Sequence, residues 1–252
     1  MARLPGNFTA LLCTAPWYRI RRRAGDCSSF YRTSPPRGRF KEEPMLLFDL
    51  DGTLIDSNGV WVEVDKTFLA RRGAPYTKEY YEGVAHTILS NCAVFTKEYL
   101  HLEESCEEII AEWMELAADK YGTEVPLKPH VIEYLNKCRE TGHRMAVFTA
   151  CVPDHCRAAM EHLGLTSYFE RVIYAQELGV DKKSPAIFRA VAESLGVSPR
   201  ECVLFDDSLT ACKAAKAAGM TVVGVRDGYF DGTAVDMREI CDQYIESFAE
   251  LL

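Results

Sequence analysis

Five short apolar runs alternate along the chain with segments of helical period. The runs lie at 45–50, 144–150 (RMAVFTA), 171–175 (RVIYA), 202–207 (CVLFDD) and 220–225 (MTVVGV). Apolar residues three and four apart mark helices at about 129–141, 153–163, 185–195, 208–218 and 236–250. A glycine follows each of the first four, where a left-handed cap residue belongs. Strands this short and this continuously apolar suit a parallel sheet covered by helices on both faces. The pattern therefore predicts an α/β chain with a doubly wound, Rossmann-like sheet.

The interval 61–127 breaks that rhythm. VDKTFLARRG, KEYYEGVAHTILSN and SCEEIIAEWMELAADKYG read as helices with no strand among them. The expected organisation is a core made of 45–60 and 128–252, with residues 61–127 as a helical insertion after the first strand. Gly59, Pro126 and Pro129 mark the two crossings as hinge regions. The aromatic residues of the insertion, Trp61, Phe68, Tyr80, Tyr81, Phe95 and Trp113, read at helical spacing as its own core.

Residues 1–44 show neither period. RIRRR and TSPPRGR are the composition of a poorly ordered leader. The segment reads either as an organellar targeting peptide or as translated sequence upstream of a true start at Met45, where KEEP resembles a translated ribosome-binding site.

Charge sharpens the division. The net charge of −8 conceals nine basic against three acidic residues in 1–44 and twenty against thirty-four in the remainder. So acidic a body repels nucleic acid at long range and leaves room for a small phosphorylated metabolite held by a local cationic pocket. No apolar run approaches the roughly 20 residues of a membrane span. Ten scattered cysteines include no Cys-x-x-Cys pair, and Cys151 and Cys156 read as small core hydrophobes. This usage suits a reducing cytoplasm, and a monomer or weak dimer is the expected state.

The candidate chemistry lies where the apolar runs end. The first run ends in two carboxylates one residue apart, Asp49 and Asp51, in LLFDLDGTLIDS. Thr149 ends AVFT, Lys182 and Lys183 precede the helix that Pro185 begins, and Asp206 with Asp207 close VLFDD. Ligands of an open parallel sheet bind beyond the carboxyl ends of its strands, so these groups converge on one edge. Like charges this close need a cationic partner, and hard carboxylate oxygens suit Mg2+. A carboxylate can attack phosphorus, a second can carry the proton, and Lys and Thr can hold the phosphoryl oxygens. Each motif alone has a bland reading: a turn, a helix cap, a solvated lysine.

Together, DLDGTLIDS, the Thr of VFTAC, KKSPAIF and CVLFDDSLTACKAAKAAGM resemble the haloacid dehalogenase superfamily, specifically its helical-cap phosphatases and β-phosphoglucomutase-like members, over about residues 45–230. The resemblance implies a Mg2+-dependent phosphomonoester hydrolase working through an aspartyl phosphate. It implies Asp49 as nucleophile and Asp51 as acid/base. Thr149, Ala150 and Lys182 would bind phosphate, Lys182 being chosen by aligning Pro185 and Phe188 with the family's Lys-Pro-x-Pro-Asp-Ile-Phe. Asp49, Asp51 (through its carbonyl), Asp206 and Asp207 would hold the metal.

Three other readings compete. A receiver-type signalling domain places its acidic pair first and its Lys last, whereas here the Lys precedes the acidic pair. A non-catalytic phosphate-binding relative would have lost the nucleophile or the Lys. A hexose-phosphate mutase shares the whole core, and its distal-phosphate cation would have to be His86, Arg71 or Arg72.

Overall fold

The computed structural model describes residues 43–84, 89–178 and 182–252, apart from the side chains of Phe230 and Asp231. The readings of His86 and of nearly all the 1–44 segment therefore lie outside the described residues. Six parallel strands form one sheet: β1 (Met45–Phe48), β2 (Met145–Thr149), β3 (Arg171–Tyr174), β4 (Cys202–Asp206), β5 (Thr221–Val225) and β6 (Gln243–Ile245). Their spatial order is β3-β2-β1-β4-β5-β6. Chain direction across the sheet reverses between β1 and β4, which makes their carboxyl ends the switch-point crevice where ligands of such sheets bind.

Alternation along each strand builds two cores. Leu46 and Phe48 of β1 face helices α5 (Val131–Glu140) and α6 (Pro153–His162). Met45 and Leu47 face α7 (Pro185–Ser194), α8 (Leu209–Ala218) and α9 (Ala234–Ile240). On the first face Phe48 stacks on Phe205 with ring centroids 4.6 Å apart. On the second, Phe148 meets Phe188 edge-on at 5.4 Å. Cys151 and Cys156 are free thiols buried in the first core.

The helix expected over 236–250 is only partly present. Helix α9 ends at Ile240, Gln243–Ile245 becomes β6, and the chain closes in a short 3-10 turn at Phe248–Leu251. Met237, Cys241, Ile245 and Phe248 are spaced four, four and three apart and mimic a helical stripe. What wins instead is the open edge of β5, whose Val223–Val225 pair with Gln243–Ile245. Unpaired backbone groups at a sheet edge cost more than a weak helical preference returns.

Between β1 and β2 the described residues form α1 (Val60–Arg71), α2 (Lys78–Val84), α3 (Leu89–Leu100) and α4 (Cys106–Thr123). KEYYEGVAHTILSN, read as one helix, contributes to both α2 and α3. Ser105 caps α4 in a reciprocal box with Glu108. Phe68, Tyr80 and Trp113 are buried as expected, whereas Trp61 and Tyr81 are exposed. Arg71 and Arg72 are held by α4: Arg71 reaches Glu112 at 2.9 Å, and Arg72 reaches Glu112 at 2.7 Å and Glu104 at 3.1 Å. The Arg72 guanidinium also covers the Phe68 ring at 3.6 Å. No helix among the described residues is long and apolar enough to cross a membrane.

The two chain crossings are stitched to each other. Ile55 bridges to Leu127, the Asp56 amide donates to the Pro126 carbonyl at 2.9 Å, and the Lys128 amide donates to Leu54 at 3.0 Å. Lys128 Nζ then reaches Asp227 at 2.5 Å, with side chains only 12% and 1% exposed. Breaking so buried a pair strands a charge. Asp227→Ala is expected to cost about 3 kcal/mol, a fall in thermal midpoint of roughly 6–12 °C for a chain of this size. A midpoint within about 2 °C of the parent would show the pair to be energetically idle.

Candidate active site

The loop after β1 turns immediately because it must leave the sheet. The Asp49 amide still donates to Phe205 of β4 at 2.9 Å, and by Leu54 the chain has wound back, its amide donating to Leu50 at 3.0 Å. Gly52 makes the turn at φ 77°, and a Cβ there would fall on the Asp207 carboxylate and the Asn58 amide. Both conditions require glycine. Asp207 fills the space so provided, accepting from Thr53 Oγ1 and Asn58 Nδ2, each at 3.2 Å.

Lys182 is the hub of the site. Its ammonium lies 2.7 Å from Asp49 Oδ1 and 2.7 Å from Asp206 Oδ2, and donates to the Phe148 carbonyl at 3.3 Å. Burial alone would depress its pKa, but Asp206 and Asp49 outweigh burial and hold the ammonium charged. The second oxygen of Asp206 accepts the Ser208 amide at 2.9 Å, at the start of α8. Burial pushes Asp49 well above the usual carboxylate range, opposed by Lys182 and reinforced by its acidic neighbours. Asp207 is raised to about 7 by burial and then by Asp206 and Asp227.

Asp51 stands apart from that cluster. Its Oδ1 accepts two hydroxyls, Ser57 at 2.6 Å and Tyr121 at 2.5 Å. Burial, then the Asp51 charge, raises the Tyr121 phenol, so it stays a donor. The Thr149 hydroxyl accepts the Cys151 amide at 2.9 Å and still has its own proton to give. All seven residues singled out from the sequence, Asp49, Asp51, Thr149, Ala150, Lys182, Asp206 and Asp207, line one cavity of about 410 Å³.

The same cavity has walls that sequence reasoning missed. Ser57 and Asn58 follow the first motif closely, and their short polar side chains were the available signal. Trp61 comes from α1, Tyr121 from α4 and His155 from α6, and nothing in their local sequence distinguishes them. Lys183 also lines it. Arg71 and Arg72 are not among its lining residues.

The donor set fits a divalent cation. Asp49, Asp206 and Asp207 each bring a carboxylate oxygen within 4.8 Å of the others, and all three are buried. One ammonium among three carboxylates leaves an excess of negative charge in a poorly solvated place, and only hard oxygens are on offer. Mg2+ suits both conditions.

Comparison with known proteins agrees with this arrangement. A model of the family described as haloacid dehalogenase-like hydrolase matches residues 46–225. A phosphoglycolate phosphatase of Nitrosococcus oceani is 28% identical over 217 residues, covering 84% of this chain and 96% of its own length. A phosphorylated-carbohydrate phosphatase of Thermotoga maritima is 25% identical, covering 75% of this chain and 88% of its own. Among solved structures, a Thermotoga maritima protein provisionally assigned as a β-phosphoglucomutase superposes with a TM-score of 0.72 at 24% identity, covering 80% of this chain and 94% of its own. With its motifs set around one switch-point cavity and the family model spanning most of its length, this chain belongs to the haloacid dehalogenase-like hydrolases, and its curated relatives include phosphatases.

Proposed function

We propose that this protein is a Mg2+-dependent phosphomonoester hydrolase that acts on a small phosphorylated metabolite through a phosphorylated Asp49. The observation that carries the reading is Lys182, held at 2.7 Å from both Asp49 and Asp206 beside the boundary between β1 and β4, where the order of strand connection reverses. An ammonium so placed offsets part of the negative charge around the nucleophile, and the cation that the three carboxylates would hold offsets the rest, so that a dianionic phosphate can enter.

In the proposed cycle a carboxylate oxygen of Asp49 attacks phosphorus, and the bond to the leaving oxygen breaks as Asp51 gives that oxygen a proton. Lys182 and the Thr149 hydroxyl hold non-bridging phosphoryl oxygens as charge shifts onto them. Asp51, now a base, takes a proton from water, which attacks the acyl phosphate and restores Asp49. Asp49, Asp206 and Asp207, with the Asp51 carbonyl, would hold Mg2+, which when bound supplies charge neutralisation between nucleophile and phosphate. Helices α1 to α4 act as a cap and contribute Trp61 and Tyr121 to the cavity lining. The cations lining the described cavity, Lys182 and Lys183, come from the core, so no described cap residue supplies the second phosphate clamp of a mutase.

A panel of sugar phosphates, phosphoglycolate and nucleotides, assayed for released phosphate with Mg2+, tests the reading. The expected result is turnover of one or more small phosphomonoesters, abolished by chelation and restored by Mg2+. Isomerisation of a hexose phosphate without phosphate release would identify a mutase instead. Metal-independent hydrolysis would remove the proposed cofactor.

A further inference from the structure

We propose that Tyr121 is a positioning residue for Asp51, holding one carboxylate oxygen so that the other alone exchanges the proton with the leaving group; the inference rests on the acid/base role proposed for Asp51 above. Tyr121 sits in the last turns of α4, is 3% exposed, and donates to Asp51 Oδ1 at 2.5 Å. Ser57 donates to the same oxygen at 2.6 Å. A carboxylate oxygen has two lone pairs in its plane, and two short donors occupy both. A proton therefore has no place on Oδ1. It must reside on Oδ2, and the carboxyl cannot rotate without breaking two charge-assisted bonds.

The phenol is itself held in place. Its ring stacks on the His155 imidazole, with centroids 5.2 Å apart and planes 20° from parallel. His155 is 3% exposed, and its Nε2 lies 3.0 Å from the Met114 carbonyl. A carbonyl only accepts, so Nε2 carries the hydrogen. Met114 and Tyr121 are two turns apart on one face of α4, so this helix grips a single side chain of α6 at two points. Ser57 belongs to the loop after β1, whereas Tyr121 arrives from the far side of the helical insertion. The proton-carrying carboxylate thus takes a hydroxyl donor from each part of the chain, with the weaker donor of the Cys151 thiol beside it.

Tyr121→Phe tests this, because it keeps the ring, its stacking and its burial while deleting the donor. On the best unactivated alkyl phosphate, kcat/KM is expected to fall about tenfold. On para-nitrophenyl phosphate, whose leaving group departs without a proton, it should change less than about twofold. Ser57→Ala removes the other donor and should give the same selective loss, and Asp51→Asn a larger one. An equal loss on both substrates would make Tyr121 merely structural, and no loss on either would make its hydroxyl dispensable. Selectivity in Ser57→Ala but not in Tyr121→Phe would likewise overturn the inference. If Asp51→Asn itself slowed both substrates equally, the acid/base reading would fall and take this inference with it; a selective Asp51→Asn beside an unselective Tyr121→Phe confines the failure to Tyr121.

Discussion

Asp49→Asn is expected to lower kcat by on the order of 10⁴-fold or more, because a carboxamide cannot form the acyl phosphate and no other described group is placed to replace it. The change is nearly isosteric and removes a charge that burial disfavours. Lys182 keeps Asp206 at 2.7 Å as its partner. The thermal midpoint without divalent ions should therefore stay level or rise, which separates loss of chemistry from loss of fold. A single turnover in ¹⁸O-labelled water, followed by mass spectrometry, provides the direct check: label should enter the Asp49 carboxylate of the parent enzyme. Label found only in released phosphate would mean that water attacks phosphorus directly.

The second large effect is on stability. Without a bound ion, burial and then the neighbouring Asp206 and Asp227 push Asp207 up to about 7, far above the ordinary carboxylate value near 3.8. An acid whose pKa rises on folding binds more protons in the folded state than in the unfolded chain between those two values. Stability should then fall as pH rises from about 4 to about 7 and remain low above that. Asp49 is shifted in the same sense and adds to the slope. Lys182, whose pKa rises, contributes stability that is lost only in strongly alkaline solution, outside this window. The cost from Asp207 is on the order of 4 kcal/mol at most, or roughly 8–16 °C. Millimolar Mg2+ at pH 8 should recover much of it by binding only the folded state. Thermal melts at pH 5 and pH 8, with and without Mg2+, measure the effect, and Asp207→Asn should reduce the slope, leaving the part that Asp49 carries. A metal-free midpoint that climbs over this range would show that the three carboxylates carry no such burden.

The parallel sheet, five of its six strands and most of its helices were legible because each rests on a local period: continuous apolar runs for strands covered on both faces, a 3.6-residue stripe for helices. The motif residues were legible for a related reason. A ligand at a parallel sheet binds beyond the strand ends, so chemistry-bearing side chains must follow apolar runs directly, as Asp49, Thr149 and Asp206 do. Choosing Lys182 over Lys183 needed the alignment to a family pattern, since two adjacent lysines are indistinguishable by period or charge. In the structure Lys182 joins the two aspartates, while Lys183 lies on the exposed wall.

The misread segments share a physical cause. Cys241 to Phe248 has helical spacing, yet its backbone satisfies the edge of β5, and an edge exists only once the other strands are assembled. Trp61 looked like core because aromatic residues at helical spacing usually are; only the packing of α1 beside the cavity turns it outward.

By itself, then, the chain's sequence determined which residues could do chemistry and which strand ends would carry them, since those properties depend on a few neighbours along the backbone. Only the tertiary structure decided which groups orient the chemistry. Tyr121 is seventy residues from Asp51, and His155 is forty-one from Met114. No period or propensity encodes a contact between such positions. The second arises because α4 packs on α6 and the first because α4 also reaches the loop after β1, and such packing is settled by the shapes of assembled faces rather than by any one stretch of sequence.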